Sequence, residues 1–306
     1  MTAARQPEPA VEVVEYTDPL CPWSWGSEPV LRRLRAAVAG RVRWRRVYAI
    51  LFDHDDDPPP DPAAETAWYA RYVAGITEHT RAPCAVRLSR VAASSWPSSL
   101  VAKAAELQGG DTAEAVLRRL RETVFVLGEP ADTAELALAA VRGAPGLDLR
   151  RLAADAASPR VLRQVRADRA EARRPVPEVL DPTAGSPHPG VAKETADGSR
   201  RYALPTLLLR TAAGYRVVPG WRTFEEYAAA FDDLCPGLLP ARDRLPEGGT
   251  LSPAAALARY RSLTDPERLL LAQGPWPPPH AVRVETGNGP LWLHPAEAAL
   301  HPAAQV

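Results

Sequence analysis

The chain has 306 residues, enough to bury a sizeable core as one large domain or two modest ones. Lys and Arg together number 37, as do Asp and Glu. This balance excludes the basic footprint of a general nucleic-acid or membrane-surface binder and leaves small molecules or proteins as the expected partners. Three scattered cysteines, Cys21, Cys84 and Cys235, do not make a disulfide framework, so each is judged alone.

The opening MTAARQPEPA has neither a basic stretch leading into an apolar segment nor a small-residue cleavage site, and no run of about 18 apolar residues occurs. The expectation is a soluble, cytoplasmic protein with no membrane partner. VEVVEYT (11–17) has the β-branched and aromatic content of a strand, which Asp18-Pro19 breaks. From Pro22 to Ala39, Trp25, Val30, Leu31, Leu34 and Val38 follow helical spacing, with Gly40 as the terminating residue. RVRWRRVYAIL (41–51) alternates as a second strand, parallel to the first after the helical crossover. FDHDDDPPPDP (52–62) is an acidic, proline-rich loop. Its Asp53-to-Asp57 run contains metal-ligand residue types, but a consecutive run does not place ligands on one face, so no metal is expected.

Between about 64 and 174 the chain turns Ala/Leu/Arg-rich, with helical periodicity broken at Arg81-Ala-Pro, Gly109-Gly110-Asp111, Gly128-Glu-Pro and Gly143-Ala-Pro-Gly. Several short helices are implied, one of them opened by Ser158 and Pro159. PVPEVLDPTAGSPHPG is irregular. ALPTLLLR (203–210) and YRVVPG (215–220) then read as a hairpin turned at Gly214, and Thr223 with Glu226 forms the capping box of a helix over 223–234. After a Pro/Gly-rich linker, SPAAALARYRSL and TDPERLLLAQG read as two helices, the second capped by Thr264 and Glu267, and AVRVE and LWLH as a hairpin. A degenerate winged helix would carry more basic residues than Arg268 on its second helix, so a cap on the main domain is the expectation.

YTDPLCPWSWG after the first strand and LPT at 204–206 resemble the DsbA-like branch of the thioredoxin superfamily, in particular its FrnE-like and dithiol–disulfide isomerase members. The resemblance spans roughly residues 11–235. It implies an α/β, thioredoxin-like fold with a helical domain inserted between an N-terminal βαβ unit and a C-terminal ββα unit, plus a small C-terminal α+β appendage. The corresponding boundaries are 11–60, 61–180, 181–235 and 236–306. The chain departs from that family at Ser24, which stands where the redox members carry their second cysteine. Kappa-class glutathione transferases and chromene-carboxylate isomerases use a hydroxyl at the nucleophile-proximal position, but here the first position remains Cys21.

A cysteine at a helix N-terminus faces unpaired N–H groups and the positive end of the helix dipole, which predicts an acidic, nucleophilic Cys21. Pro22 suits the first helical position, and Ser24 offers an O–H donor to the thiolate. The bland alternative is an inert buried cysteine in a turn. The resemblance further implies a cis peptide between Leu204 and Pro205 facing the cysteine, an edge for an extended peptide or glutathione. Trp23 is the candidate aromatic wall, Asp18 a candidate electrostatic neighbour, and Arg222 beside Trp221 a candidate cation.

Cys21 can form a mixed disulfide, but Ser24 cannot resolve it, because an alkoxide is hard to make and forms no S–S bond. A second thiol must therefore arrive from glutathione, from a client cysteine or from Cys84. The expected activity is monothiol thiol–disulfide exchange with protein thiols or glutathione, with no bound cofactor. The alternative is a redox-inactive binding or adaptor protein that uses the groove beside Pro205.

Overall fold

The computed structural model describes residues 11–53, 61–181, 186–239 and 251–305. The acidic run from His54 onward and most of the linker before Leu251 lie outside the described residues. Strand β1 (Glu12–Thr17), helix α1 (Pro22–Ala37) and strand β2 (Arg43–Tyr48) form the expected parallel βαβ unit. Strands β5 (Thr206–Thr211) and β6 (Gly214–Pro219) complete a four-stranded sheet in the order β2–β1–β5–β6, with β5 antiparallel to both neighbours. Two short strands, β3 (Lys193–Glu194) and β4 (Arg200–Arg201), pair beside it. Helix α8 (Phe224–Leu234) follows, opened by the Thr223–Glu226 capping box.

Period-two alternation assigns the two sheet faces. Val13, Leu207 and Leu209 pack with Leu31 and Leu34 of α1 and with Tyr227 and Phe231 of α8. Val14, Tyr16, Val47 and Leu208 point the other way, and that face holds Cys21, Trp23, Tyr202 and Leu204. The second face is covered by part of the inserted helices: α2 (Pro62–Thr80), α3 (Trp96–Ala105), α4 (Gly110–Phe125), α5 (Ala134–Ala140), α6 (Leu149–Ala156) and α7 (Pro159–Ala172). Ile76 of α2 and Ala172 of α7 reach the sheet core. The remaining helices pack largely on one another around Val101, Leu120, Ala137, Leu152 and Val161. No described helix is long and apolar enough to cross a membrane.

The C-terminal segment corrects one sequence expectation. Helix α9 covers Pro253–Tyr260 and stops at Arg261, whose φ of 64° is incompatible with continuing the helix. Ser262–Thr264 is strand β7, not the end of that helix. With β8 (Val282–Val284) and β9 (Leu291–Leu293) it makes a three-stranded sheet in the order β7–β9–β8, so the expected hairpin gains a third strand. Helical periodicity could not exclude Ser262 and Leu263, because that choice is made by pairing with Leu293 and Trp292, some thirty residues away.

Leu291 and Leu293 of this module pack with Trp25 of α1 and Phe125 of α4, and helix α10 (Asp265–Leu271) adds ion pairs to the same two helices. Fully buried Glu267 accepts from Arg32 Nη1 at 2.9 Å and from both terminal nitrogens of Arg118 at 2.9 Å. Glu122 of α4 binds Arg118, the Ser262 hydroxyl and His301 Nε2. Short helix α11 (Pro295–Ala298) adds Glu297, 2.6 Å from Arg119 Nε. Removing one member of such a set leaves its partners charged and dry. Glu267→Ala should therefore cost about 3–5 kcal/mol in urea-unfolding free energy; a loss below about 1 kcal/mol, the range of exposed pairs, would mean that these ions do not hold the module in place.

Candidate active site

Cys21 is the N-cap of α1, and Pro22 takes the first helical position, where its missing N–H costs nothing. The turn is locked by the Cys21 N–H donating to the Asp18 carbonyl at 3.3 Å and the Trp25 N–H donating to the Cys21 carbonyl at 3.0 Å. Cys21 is 4% exposed, and its thiol donates to the Leu204 carbonyl at 3.7 Å. The Leu204–Pro205 peptide is cis. The structure thus brings together Cys21, Pro22, Ser24, Trp23, Leu204 and Pro205 at the junction of the βαβ unit, the strand pair β5–β6 and helix α2.

Burial overturns the expectation of an acidic thiol. Desolvation pushes Cys21 above its ordinary value, and the Ser24 hydroxyl and amide, which favour the thiolate, do not offset it. Ionised Asp18 pushes in the same direction as burial, while Arg201 opposes it. Ser24 Oγ is itself buried and has no partner of normal hydrogen-bond geometry, which leaves its proton free to turn to a charged sulfur.

Asp18 carries the local architecture. Its Oδ1 accepts from the Leu20 N–H at 2.8 Å and the Ser95 hydroxyl at 3.0 Å, and its Oδ2 accepts from the Leu51 N–H at 2.8 Å. One carboxylate therefore ties the loop after β1 to the loop after β2 and to the start of α3. Total burial outweighs these bonds and raises its pKa to about 6.

Trp23 and Trp25 diverge as helical geometry requires. Trp25 packs inward on Phe125, its Nε1 donating to the Pro83 carbonyl at 2.8 Å. Trp23 stays at the site, where its Nε1 donates to Tyr72 Oη at 3.1 Å and its ring meets His188 edge-on at 4.8 Å. His188, Tyr69, Tyr72 and Arg201 are site neighbours that sequence reasoning missed. The i, i+1, i+4 aromatics of TAWYARYV were the one available signal, and nothing in GSPHPG marks His188. Its Nδ1 accepts the Gly190 N–H at 3.1 Å, so the proton sits on Nε2, and burial with nearby Lys193 and Arg222 lowers its pKa to about 4.

Arg222 is not the cation of this site. It donates to the carbonyls of His188 at 2.9 Å and Pro189 at 3.0 Å, pinning the 186–190 segment beside the end of β6. Gly220, at φ 78°, permits that approach, since a Cβ there would stand 2.2 Å from the His188 carbonyl oxygen. A cation that acts on Cys21 is Arg201.

Cys84 is half-buried, with the Thr77 hydroxyl 3.9 Å from its sulfur and its carbonyl accepting the Gly287 N–H; Cys235 ends α8. All three cysteines are free thiols. Asp53 is held by Arg169, Arg173 and Trp96. Among the described residues, no group of three or more His, Cys, Asp or Glu could hold a metal. A cavity of about 690 Å³ lies elsewhere, between α1, α4 and α9, and is lined by arginines that include Arg32, Arg118 and Arg259.

A parallel βαβ unit, an antiparallel ββα unit and a cysteine at the first helix facing a cis-proline make a thioredoxin-like fold with a helical insertion. A family model described as thioredoxin matches residues 15–174, just over half of the chain, and the chain belongs to that family. Its sequence is 31% identical over 172 residues to the ClpXP adapter protein SpxH of Shouchella clausii. That match covers 52% of this chain and 52% of the relative, so the chain spans about half the length of that relative. Among solved structures, it is similar to a Nitrosomonas europaea protein provisionally assigned as a protein disulfide isomerase (TM-score 0.57, 13% identity, 73% of this chain and 96% of the other). It is also similar to the cytosolic disulfide reductase DsbM of Pseudomonas aeruginosa (TM-score 0.52, 16% identity, 73% and 98%). The structure of DsbM with GSH aligns at a TM-score of 0.50, with 19% identity over 73% and 98% of the two chains. At these identities the structural likenesses establish the fold.

Two titrations follow from the site. Because Asp18 binds its proton more tightly in the folded chain, its contribution is full below the unfolded value of 3.8 and is lost as pH rises through about 6. The difference in unfolding free energy between wild type and Asp18→Asn should therefore change by roughly 3 kcal/mol across that window; a pH-independent difference would mean that Asp18 is not perturbed. In a Cys84→Ala/Cys235→Ala background, alkylation of Cys21 should show a midpoint above the ~8.5 of an ordinary thiol, and Ser24→Ala should raise it further. A midpoint at or below the ordinary value would refute dominance of burial.

Proposed function

We propose that the chain is a thiol–disulfide oxidoreductase or isomerase of monothiol type, with Cys21 as the nucleophile. The observation that carries this reading is the pairing of Cys21 with the Leu204 carbonyl next to the cis Leu204–Pro205 bond, beside a buried Ser24 hydroxyl that lacks a partner. In the first step the Cys21 sulfur attacks a disulfide R–S–S–R′. The new bond is Cys21–S–S–R, and R′–SH leaves with the proton that Cys21 gives up. Cys21 is oxidised to the mixed-disulfide level, and the leaving sulfur is reduced. A second thiol then attacks the mixed disulfide and restores Cys21.

A raised thiol pKa leaves little thiolate at neutral pH, but the thiolate that forms is the more nucleophilic for it. Ser24 stabilises charge on Cys21, and the backbone at Leu204 and Pro205 with the faces of Pro22 and Trp23 receives the substrate chain. The second thiol comes from glutathione or a client cysteine; Cys84, engaged with Thr77 and the Gly287 loop, is the less suitable donor. Glutathione is the proposed co-substrate, protein thiols and disulfides the proposed partners, and the cytoplasm the proposed compartment. The cytosolic, glutathione-complexed DsbM supports this setting by analogy.

A second reading, a redox-inactive adaptor that binds a protein beside Pro205, is favoured by the likeness to SpxH. The two readings separate on one experiment. Incubated with excess glutathione disulfide, the chain should gain a single glutathionyl group on Cys21, removable by added thiol and absent from Cys21→Ser. A Cys21 that stays unmodified under conditions that modify Cys84 would move the assignment to the adaptor.

A further inference from the structure

We propose that the cavity between α1, α4 and α9 binds a small molecule bearing two adjacent phosphate groups, at a site separate from Cys21. Its volume of about 690 Å³ suits a whole small molecule rather than a lone ion. The wall carries six arginines against three acids, Asp111, Glu114 and Glu297. That excess alone decides nothing, because some of these arginines are already neutralised from behind the wall. Arg118 spends all three guanidinium nitrogens on Glu122, Ser262 and Glu267, and Arg35 is held by Glu15, Glu28 and Glu114. The deciding question is which arginines keep donors in reserve.

Arg119, Arg259 and Arg261 do, at the C-terminal end of α9. Arg259 is exposed in the last turn of that helix and makes no hydrogen bond or ion pair among the described residues. Its guanidinium lies 5.6 Å from the Tyr260 ring centroid, and that of Arg32 lies 5.2 Å from the same ring. Arg261 reaches Glu297 only at 3.8 Å, through Nε, and its two terminal nitrogens have no partner among the described residues. Arg119 gives Nε to Glu297 and Nη1 to the Leu300 carbonyl at 3.4 Å, and its buried Nη2 has no partner. One carboxylate is thus shared between two guanidinium groups and Arg259 has none, so this end of the cavity holds two unanswered positive charges.

The bland role of Arg259 is to complement the helix dipole at the end of α9. That role leaves Arg261 unexplained. Arg261 sits at φ 64°, held there by its N–H on the Leu257 carbonyl and by the His294 N–H on its own carbonyl, both at 2.9 Å. Glycine adopts this conformation freely, whereas arginine does so under strain of the kind that collects at ligand clamps. The turn leaves the Arg261 side chain on the cavity wall with Arg259 and Tyr260. Guanidinium groups donate in pairs to phosphate oxygens, and two adjacent phosphates supply enough acceptors and charge for all three arginines at once. Asp111 and Glu114, more than a turn before Arg119 on α4, put the opposite sign on the wall and direct the charged end of the ligand toward α9.

The test is calorimetric titration of the full chain, at fixed ionic strength, with pyrophosphate, ADP and sulfate. Pyrophosphate should bind at one site per chain, ADP at least as tightly, and sulfate more weakly by about tenfold or more. Arg259→Ala, which removes an exposed side chain, should weaken pyrophosphate and ADP by about tenfold or more, and Arg261→Gly, which also relieves the backbone, should do the same. The absence of saturable binding below about 1 mM pyrophosphate or ADP overturns the proposal. Sulfate binding as tight as pyrophosphate, or binding that survives either substitution, overturns it too. The titration reads nothing at Cys21, so its failure leaves the monothiol reading untouched.

Discussion

The site depends on a carboxylate that never touches solvent. Asp18 lies between the end of β1 and the start of α1, and it accepts one bond from each of three segments: its own turn through Leu20, the segment after β2 through Leu51, and the start of α3 through Ser95. Holding Leu51 in reach requires Ile50 to adopt a φ of 55°, a conformation a β-branched residue takes only when its surroundings impose it. The βαβ unit and the helical insertion are thus locked together at the residue that precedes the cysteine turn. The same carboxylate, when ionised, keeps charge off Cys21. Scaffold and chemistry share one group.

Around that point the protein uses two kinds of adhesive. The sheet and its covering helices α1 and α8 are joined by ordinary apolar burial, with Val13, Leu34, Leu207 and Phe231 at its centre. The C-terminal module meets α1 and α4 in both ways: Leu291, Leu293 and Ala303 pack with Trp25, Val124 and Phe125, and buried Arg and Glu pairs centred on Glu267 and Glu122 join the same elements. Such pairs demand particular geometry from both sides, so the module sits in one register on the back of α1. The front of the same helix begins at Cys21. The C-terminal module therefore reinforces the helix that presents the thiol without contributing to the face on which the substrate would bind.

Much of the thioredoxin-like core was legible in the sequence because its signals are local. Alternation in VEVVEYT, the helical spacing through Leu34, the turn at Gly214 and the Thr223–Glu226 capping box each depend on residues a few positions apart. The cysteine at the N-cap and Pro22 behind it are equally local. The strand at Ser262–Thr264 was hidden, because its partner Leu291–Leu293 lies far along the chain and the preceding SPAAALARY supplies a strong helical period that runs into it. The surroundings of Cys21 were hidden for the same reason. His188, Tyr72 and Arg201 come from three separate segments, and of these only Tyr72 stands in a local pattern, the aromatics of TAWYARYV.

By itself the sequence determined the order of the strands and helices of the central sheet, a cysteine at the head of its first helix and a serine, Ser24, three residues after it. These follow from periodicity, capping chemistry and the identity of single atoms, which survive without coordinates. Only the tertiary structure decided how the thiol behaves. The helix N-terminus and the Ser24 hydroxyl favour the thiolate, but the packing of α2, Trp23 and the Leu204 edge over Cys21 removes water, and desolvation outweighs them. Tertiary contacts also decided that Arg222 is engaged with the carbonyls of the 186–190 segment while Arg201 acts on Cys21, and that the Ser24 hydroxyl is buried in the first turn of α1. Burial and charge proximity are sums over the whole fold, and no short stretch of residues carries them.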